Sequence, residues 1–259
     1  MQRIVGGAGA LAALVDTGAA DIDDEGCVTL RFEVLAGAGA LSILPRPGLL
    51  GERVYAGPDT WILLEHVWRF GLGGERALEL GTGTGLIASL LATRYRSVVA
   101  TDITDESVTT AALSLRLLEP ADRERVSLVL TDVGAGLRSS SFDLVAANAP
   151  WVPSSSAHGN TFADGGPTGS ELPLRFLADG IELLSPAGVL VLMCADLRFD
   201  DGRAPLREAL SALRSQGFVT EVMITSRTAP FTFEGDGARG AMAGLRAADH
   251  VTVVVYRPR

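Results

Sequence analysis

From residue 76 onward the chain alternates between two hydrophobic patterns. Short runs that are apolar along most of their length read as buried strands: RALEL (76–80), SVVATD (97–102), VSLVLTD (126–132), FDLVAAN (142–148), GVLVLMCAD (188–196), TEVMITS (220–226) and HVTVVVYRP (250–258). Between them, GLIASLLATRY (85–95), ESVTTAALSLRLL (106–118), LPLRFLADGIELL (172–184) and APLREALSALRSQG (204–217) space their apolar residues at helical intervals. Continuous apolar strands alternating with helices predict an α/β fold with a parallel sheet covered on both faces. The stretch between the last two strands is rich in Gly and Ala and reads as a loop or a short helix.

Upstream the pattern changes. Residues 8–16 read as a short helix, CVTLRFEVL (27–35) alternates as one strand, AGAG turns the chain, and ALSIL (40–44) reads as its partner. LPRPG (44–48) then punctuates the chain, because prolines end regular structure. The expected organisation is a small helix and β-hairpin appendage over residues 1–52 and a main domain over 53–259. At its start, GPDT (57–60) offers Asp59 or Thr60 as N-cap for the amphipathic helix WILLEHVWRF.

Composition adds limits. With 47% hydrophobic and 20% charged residues the chain has ample material for a core. The net charge of −9, carried against arginines alone, gives no general field for phosphate backbones and argues against a nucleic-acid partner. Cys27 and Cys194 are far apart without metal-ligand spacing, and the expectation is buried free thiols in a reducing cytoplasm. The apolar start, MQRIVGGAGALAALV, reads as a small helix rather than a signal peptide, and no run is long enough to cross a bilayer. His158 and Arg46 read as solvated loop residues, and His66 and His250 receive no function. No nucleophile elbow is present to support hydrolase chemistry.

The strongest chemical signal is LELGTGTGLIA (78–88). Gly81, Gly83 and Gly85 follow a strand and open a helix, where glycines let the backbone turn tightly and approach a ligand. The next strand ends in Asp102, placed to accept from both hydroxyls of a ribose. The spacing is GxGxG and not the GxGxxG of a pyrophosphate-binding dinucleotide turn, which leaves an NAD(P)-dependent oxidoreductase as an outlying reading.

The pattern E-x-G-x-G-x-G with an acid ending the following strand resembles the class I methyltransferases, which bind S-adenosylmethionine. The resemblance runs from Tyr55 to the C-terminus. It implies a Rossmann-like, seven-stranded, mostly parallel sheet with a final antiparallel strand. It implies cofactor contacts at Glu79, Gly81, Thr82, Gly83, Gly85, Asp102, Ile103, Asp132, Val133 and Asn148, with Asp132 facing the adenine amino group. No metal is implied.

NAPW (148–151), at the end of the fourth strand, resembles the [ND]-P-P-[YFW] motif of methyltransferases that act on nitrogen. The implied roles follow from the chemistry. An amide NH2 is a poor nucleophile, and Asn148 with the Ala149 carbonyl can accept its two N–H groups and aim the nitrogen at the methyl. Pro150 stiffens the loop, and Trp151 offers a flat surface to a planar acceptor. Ala149 stands where proline is commonest.

RVYAGPDTWILLEH (53–66) and FADGGPTGSELPLRFL (162–177) resemble segments of the HemK-type protein-glutamine N-methyltransferases. This puts Tyr55, Asp59 and Thr60 on the cofactor side and Asp164, Gly165 and Gly166 in the loop behind the active site. The loop after NAPW is shorter than in that group. The implied acceptor is a protein glutamine, with a small-molecule N- or O-methyltransferase, or a non-catalytic cofactor-binding subunit, remaining open.

Overall fold

The computed structural model describes residues 15, 20–37, 40–45, 54–155, 157, 159–228 and 244–258. Apart from Val15, the expected N-terminal helix lies outside the described residues, as do Arg46, His158 and the segment 229–243. Near the N-terminus, β1 (Ala20–Ile22) pairs antiparallel with β2 (Val28–Leu30), and β3 (Phe32–Gly37) with β4 (Ala40–Pro45). The single strand expected over 27–35 is thus two, joined at Arg31, whose guanidinium reaches back to Asp21 at 2.6 Å. Alternation shows that a segment is extended, but it does not show where the chain changes partner.

The main sheet is built from β5 (Gly74–Leu80), β6 (Tyr95–Asp102), β7 (Val126–Leu130), β8 (Phe142–Asn148), β9 (Leu184–Phe199), β10 (Val219–Thr228) and β11 (Leu245–Tyr256). Their order is β10-β11-β9-β8-β5-β6-β7, with β5 to β9 parallel and β11 antiparallel to both neighbours. All seven expected strands are present, and the class I methyltransferase architecture expected from the sequence is the one observed.

Helices cover both faces. On one, α1 (Pro58–Phe70), α2 (Leu86–Ala92) and α3 (Asp105–Leu115) lie over the strands; Leu63, Leu64, Leu86, Leu90 and Leu91 share a core there with Val98, Leu144 and Met193. The short α4 (Pro120–Arg123) follows. On the other face, α5 (Glu171–Leu183) and α6 (Pro205–Ser215) bring Phe176, Leu177, Leu183, Leu206 and Leu210 against Leu78, Leu190 and Val253. Fully burying each such side chain contributes roughly 1.5–3 kcal/mol. Burial pushes the Cys194 thiol up to about 12, so it stays protonated and inert. Cys27, expected to be buried, is exposed.

The chain order fixes where a ligand goes. From β5 it winds outward through β6 to β7, then returns to β8 on the other side of β5. Above the carboxyl ends of β5 and β8 the connections part in opposite directions and leave a crevice.

Candidate functional site

That crevice opens into a cavity of about 640 Å³. Its size falls within the range of small-molecule sites. Every cofactor and catalytic residue expected from the sequence lines it except Gly85. Gly85 opens α2 in the left-handed region (φ 77°), and a Cβ there would come within 3.0 Å of Ala111 on α3. Its requirement for glycine is one of helix packing.

The glycine loop leaves β5 beside Glu79, which is 4% exposed. Its Oε2 accepts from Thr82 Oγ1 at 2.6 Å and from the Ala88 N–H, at the start of α2, at 2.9 Å. Burial pushes this carboxyl up to about 8, against the lowering effect of those two bonds. Asp102 ends β6; its Oδ2 accepts the Gly83 N–H at 3.0 Å and its Oδ1 the Thr104 N–H at 3.0 Å. The Thr104 hydroxyl is also 3.2 Å from Oδ1 but can donate to Ser107 Oγ at 2.8 Å instead, and with about four acceptor positions on the carboxylate Asp102 then has room for a diol.

These contacts test the cofactor. A pyrophosphate would need the N–H groups opening α2, yet Glu79 holds one of them and the Asp102 carboxylate stands beside the loop. The Asp102 carboxylate at this turn disfavours a dianion and suits a ribose diol, while the buried Glu79 carboxyl has taken up the N–H a phosphate would need. Gly83 has φ 51°, and a Cβ on it would project to within 3.5 Å of the Tyr55 carbonyl, so the loop is a cradle that a side chain would narrow. The residues present fit an S-adenosylmethionine-type ligand.

Asp132 follows β7. Arg175 Nη1 donates to both of its carboxylate oxygens, at 2.8 and 2.7 Å, so this acid is clamped by α5 at the cavity wall. Val133 beside it has φ 51°, a strained conformation for a β-branched residue. Ile103, in contrast, is 61% exposed and forms an open apolar edge.

At the far end of the cavity, Asn148 closes β8. Its Nδ2 donates to Asp59 Oδ2 at 2.9 Å and is 3.5 Å from Thr60 Oγ1. Asp59 Oδ1 accepts from the Tyr55 hydroxyl at 2.9 Å. Gly57, not Asp59 or Thr60, caps α1, with the Thr60 hydroxyl accepting the Gly57 N–H at 3.3 Å. The Asp59 carboxylate is therefore turned to the cavity instead of capping the helix. Ala149 donates its N–H to Met193 O at 2.9 Å.

Trp151 is backed by the expected loop. Val152 N donates to Ala163 O at 2.8 Å and Gly165 N to Val152 O at 2.7 Å, while Asp164 Oδ1 accepts from Ser154 Oγ and Gly166 N. A Cβ at Gly165 would lie 2.5 Å from Trp151 Cα, so this approach needs glycine.

Several wall residues were not singled out from the sequence, His250 and Phe162 among them. His250 of β11 meets the Trp151 ring edge-on at 4.7 Å; burial lowers its pKa, opposed by the charge of Asp59. Phe162 stacks on Tyr55 at 5.3 Å. His250 enters the site because its register puts it opposite Ala195 of β9, a pairing that single-sequence periodicity does not report.

Residues 78–153 match the family model described as a methyltransferase domain. A release factor glutamine methyltransferase of Moorella thermoacetica is 36% identical over 153 residues, 53% of this chain and 52% of that protein. A ribosomal protein uL3 glutamine methyltransferase of Bradyrhizobium diazoefficiens is 34% identical over 128 residues, 45% of this chain and 40% of that protein. The chain spans about half the length of the curated relatives it matches. Among solved structures, Mtq2 in an E. cuniculi Mtq2–Trm112 complex superposes with a TM-score of 0.53 at 23% identity, over 80% of this chain and 99% of that one. Trm5b from Pyrococcus abyssi gives 0.57 at 15% identity, over 92% and 62%. The chain thus carries a class I methyltransferase domain similar to those of the HemK-type glutamine methyltransferases, and S-adenosylmethionine is the cofactor such a domain implies.

Proposed function

We propose that this protein is an S-adenosylmethionine-dependent methyltransferase acting on a side-chain amide nitrogen, with a protein glutamine as acceptor, in the cytoplasm. Its catalytic domain is residues 53–259, with 1–52 an appendage to it. The observation that carries the reading is that Asn148 and Trp151 share one cavity with the glycine loop and Asp102. The relatives named for release factor and uL3 glutamine methylation favour a protein acceptor.

In this reading Glu79, Gly81, Thr82, Gly83, Asp102, Ile103, Asp132 and Val133 hold the cofactor, and Gly85 supports the loop from behind. S-adenosylmethionine, when bound, supplies an activated methyl: the carbon–sulfur bond breaks with its electron pair on sulfur as the carbon–nitrogen bond forms. Asn148 Oδ1 accepts one N–H of the acceptor, and the Ala149 carbonyl the other. The lone pair then points along the line of displacement, and Trp151 and Pro150 keep the acceptor plane fixed. The surplus proton leaves the nitrogen for water, so no base is needed before transfer.

One observation favours a smaller acceptor. Phe162 and Tyr55, both lining the cavity, stack directly on one another from two different segments, which narrows the room for a protein loop. A small-molecule N- or O-methyltransferase is the second reading.

Calorimetric titration with S-adenosylhomocysteine, NADH and NADPH tests the cofactor; binding of a nicotinamide cofactor instead would overturn the proposal. Methyl transfer is then measured on release factors, uL3 and small amines. Asn148→Ala is expected to lower kcat roughly 100-fold or more while changing the S-adenosylhomocysteine Kd less than about 3-fold. Unchanged turnover would remove Asn148 from the mechanism.

A further inference from the structure

An asparagine side chain has two faces. Rotation about its last torsion exchanges the NH2 for the oxygen, and the two positions differ little in shape. For a residue that must receive an acceptor's N–H, only one of them works. With NH2 turned inward, two donors would meet and the acceptor nitrogen would be pushed away. Something must therefore choose the orientation of the Asn148 amide.

We infer that Asp59 is a positioning residue for Asn148: its carboxylate holds the amide nitrogen, which leaves Oδ1 as the atom presented to the acceptor. The inference rests on the amide-methylating reading and departs from the sequence expectation that Asp59 serves the cofactor. A carboxylate only accepts, so Nδ2 must face it, and the 2.9 Å separation is that of a well-formed hydrogen bond. Turning the amide over would set Oδ1 against Oδ2. That difference biases the two orientations by roughly 10- to 150-fold.

Asp59 is itself held from three sides. The Tyr55 hydroxyl donates to its other oxygen at 2.9 Å. It sits in the first turn of α1, where the helix dipole favours a negative charge. Leu63, Leu64 and Val67 of the same helix are buried against the sheet that carries Asn148, so the separation of the two side chains is set by helix-on-sheet packing. The chain Tyr55–Asp59–Asn148 thus carries the fold's rigidity to the oxygen that meets the acceptor.

The test uses the full-length chain labelled with nitrogen-15. The sequence has only two asparagines, Asn148 and Asn160, and two glutamines, Gln2 and Gln216, so four side-chain NH2 signals are expected, and Asn148→Ser identifies the one of interest. In the parent protein one Asn148 amide proton is expected downfield and slow to exchange with water. In Asp59→Ala it should move to the position of a solvated amide and exchange at least 10-fold faster. Asp59→Asn, close in shape, guards against misfolding and should give an intermediate signal.

Turnover supplies the second readout. Asp59→Ala should lower kcat about 10- to 100-fold with the S-adenosylhomocysteine Kd within about 3-fold, Asp59→Asn should recover part of it, and adding Asp59→Ala to Asn148→Ala should cost less than about 3-fold more. An Asn148 signal unmoved by Asp59→Ala, or additive losses in the double variant, would overturn the inference. If the parent methylates no acceptor, the amide signal still decides the role of Asp59 while the catalytic reading fails separately.

Discussion

A carboxyl group enclosed by apolar strands keeps its proton unless enough donors face it. Glu79 shows the balance at single-residue scale: both neighbouring donors meet Oε2, which leaves Oε1 to carry a proton. Burial outweighs them, and the group titrates at about 8 against an ordinary 4.5. The folded-state value is raised, so the protonated acid's stabilising contribution is complete below about 4.5 and is lost as pH rises through about 8. Glu79→Gln copies the protonated form. Melting temperatures across this window should show the variant matching the parent at its acid end and gaining on it toward pH 8. A constant difference at every pH would mean that Glu79 does not titrate there. The strain at Val133 belongs to the same scale, since its φ of 51° stands at the cavity wall beside Asp132.

At the scale of elements, the end of β8 accounts for the alanine where related motifs carry proline. The Ala149 N–H continues the ladder to β9 by one bond, to Met193 O. Ala149 is also 1% exposed. Proline would fix the backbone but has no N–H, so here the loop is held by hydrogen bonding instead of by a ring. Ala149→Pro is therefore expected to destabilise the protein by about 1–2 kcal/mol, or about 2–6 °C in Tm. A rise in Tm on thermal unfolding would show that backbone entropy outweighs the bond. The start of α1 shows the same dependence on one cap: because Gly57 serves, Asp59 is spared for the cavity.

At the scale of the whole molecule, the β3–β4 hairpin is tied to the cofactor loop. Ile43 N–H donates to Ser114 Oγ at 2.8 Å, and Ser42 Oγ donates to the Thr84 carbonyl at 2.8 Å. The two hydroxyls are 3.2 Å apart, and since Ser42 has spent its hydrogen, Ser114 is the donor between them. One chain of hydrogen bonds thus joins the N-terminal segment, α3 and the glycine loop, all of it buried or nearly so. Ser114→Ala strands the Ile43 N–H and should cost about 1–3 kcal/mol in urea unfolding. Stability equal to the parent would mean that this contact is dispensable. At the opposite edge, Asp196 of β9 and Asp249 of β11 are paired across the ribbon and buried, and Arg198 donates to Asp249 at 2.7 Å. Arg207 of α6 reaches Asp196 at 2.6 Å. This network braces the wall that delivers His250.

What the sequence determined by itself was local and periodic. Apolar runs and helical spacing identified the seven strands of the sheet and the helices between them except the four-residue α4, because burial on both faces leaves a one-dimensional signature and α4 buries nothing. The glycine loop, Asp102 and NAPW were legible because turn chemistry and strand ends are written in adjacent residues. The break at Arg31, the clamp of Arg175 on Asp132 and the entry of His250 and Phe162 were decided only in three dimensions. Each depends on which segments meet, and strand register and loop closure are settled by packing between residues far apart in the chain. The same holds for Asp59 and Asn148: the sequence shows two polar residues 89 positions apart, and only the seating of α1 on the sheet makes them one device.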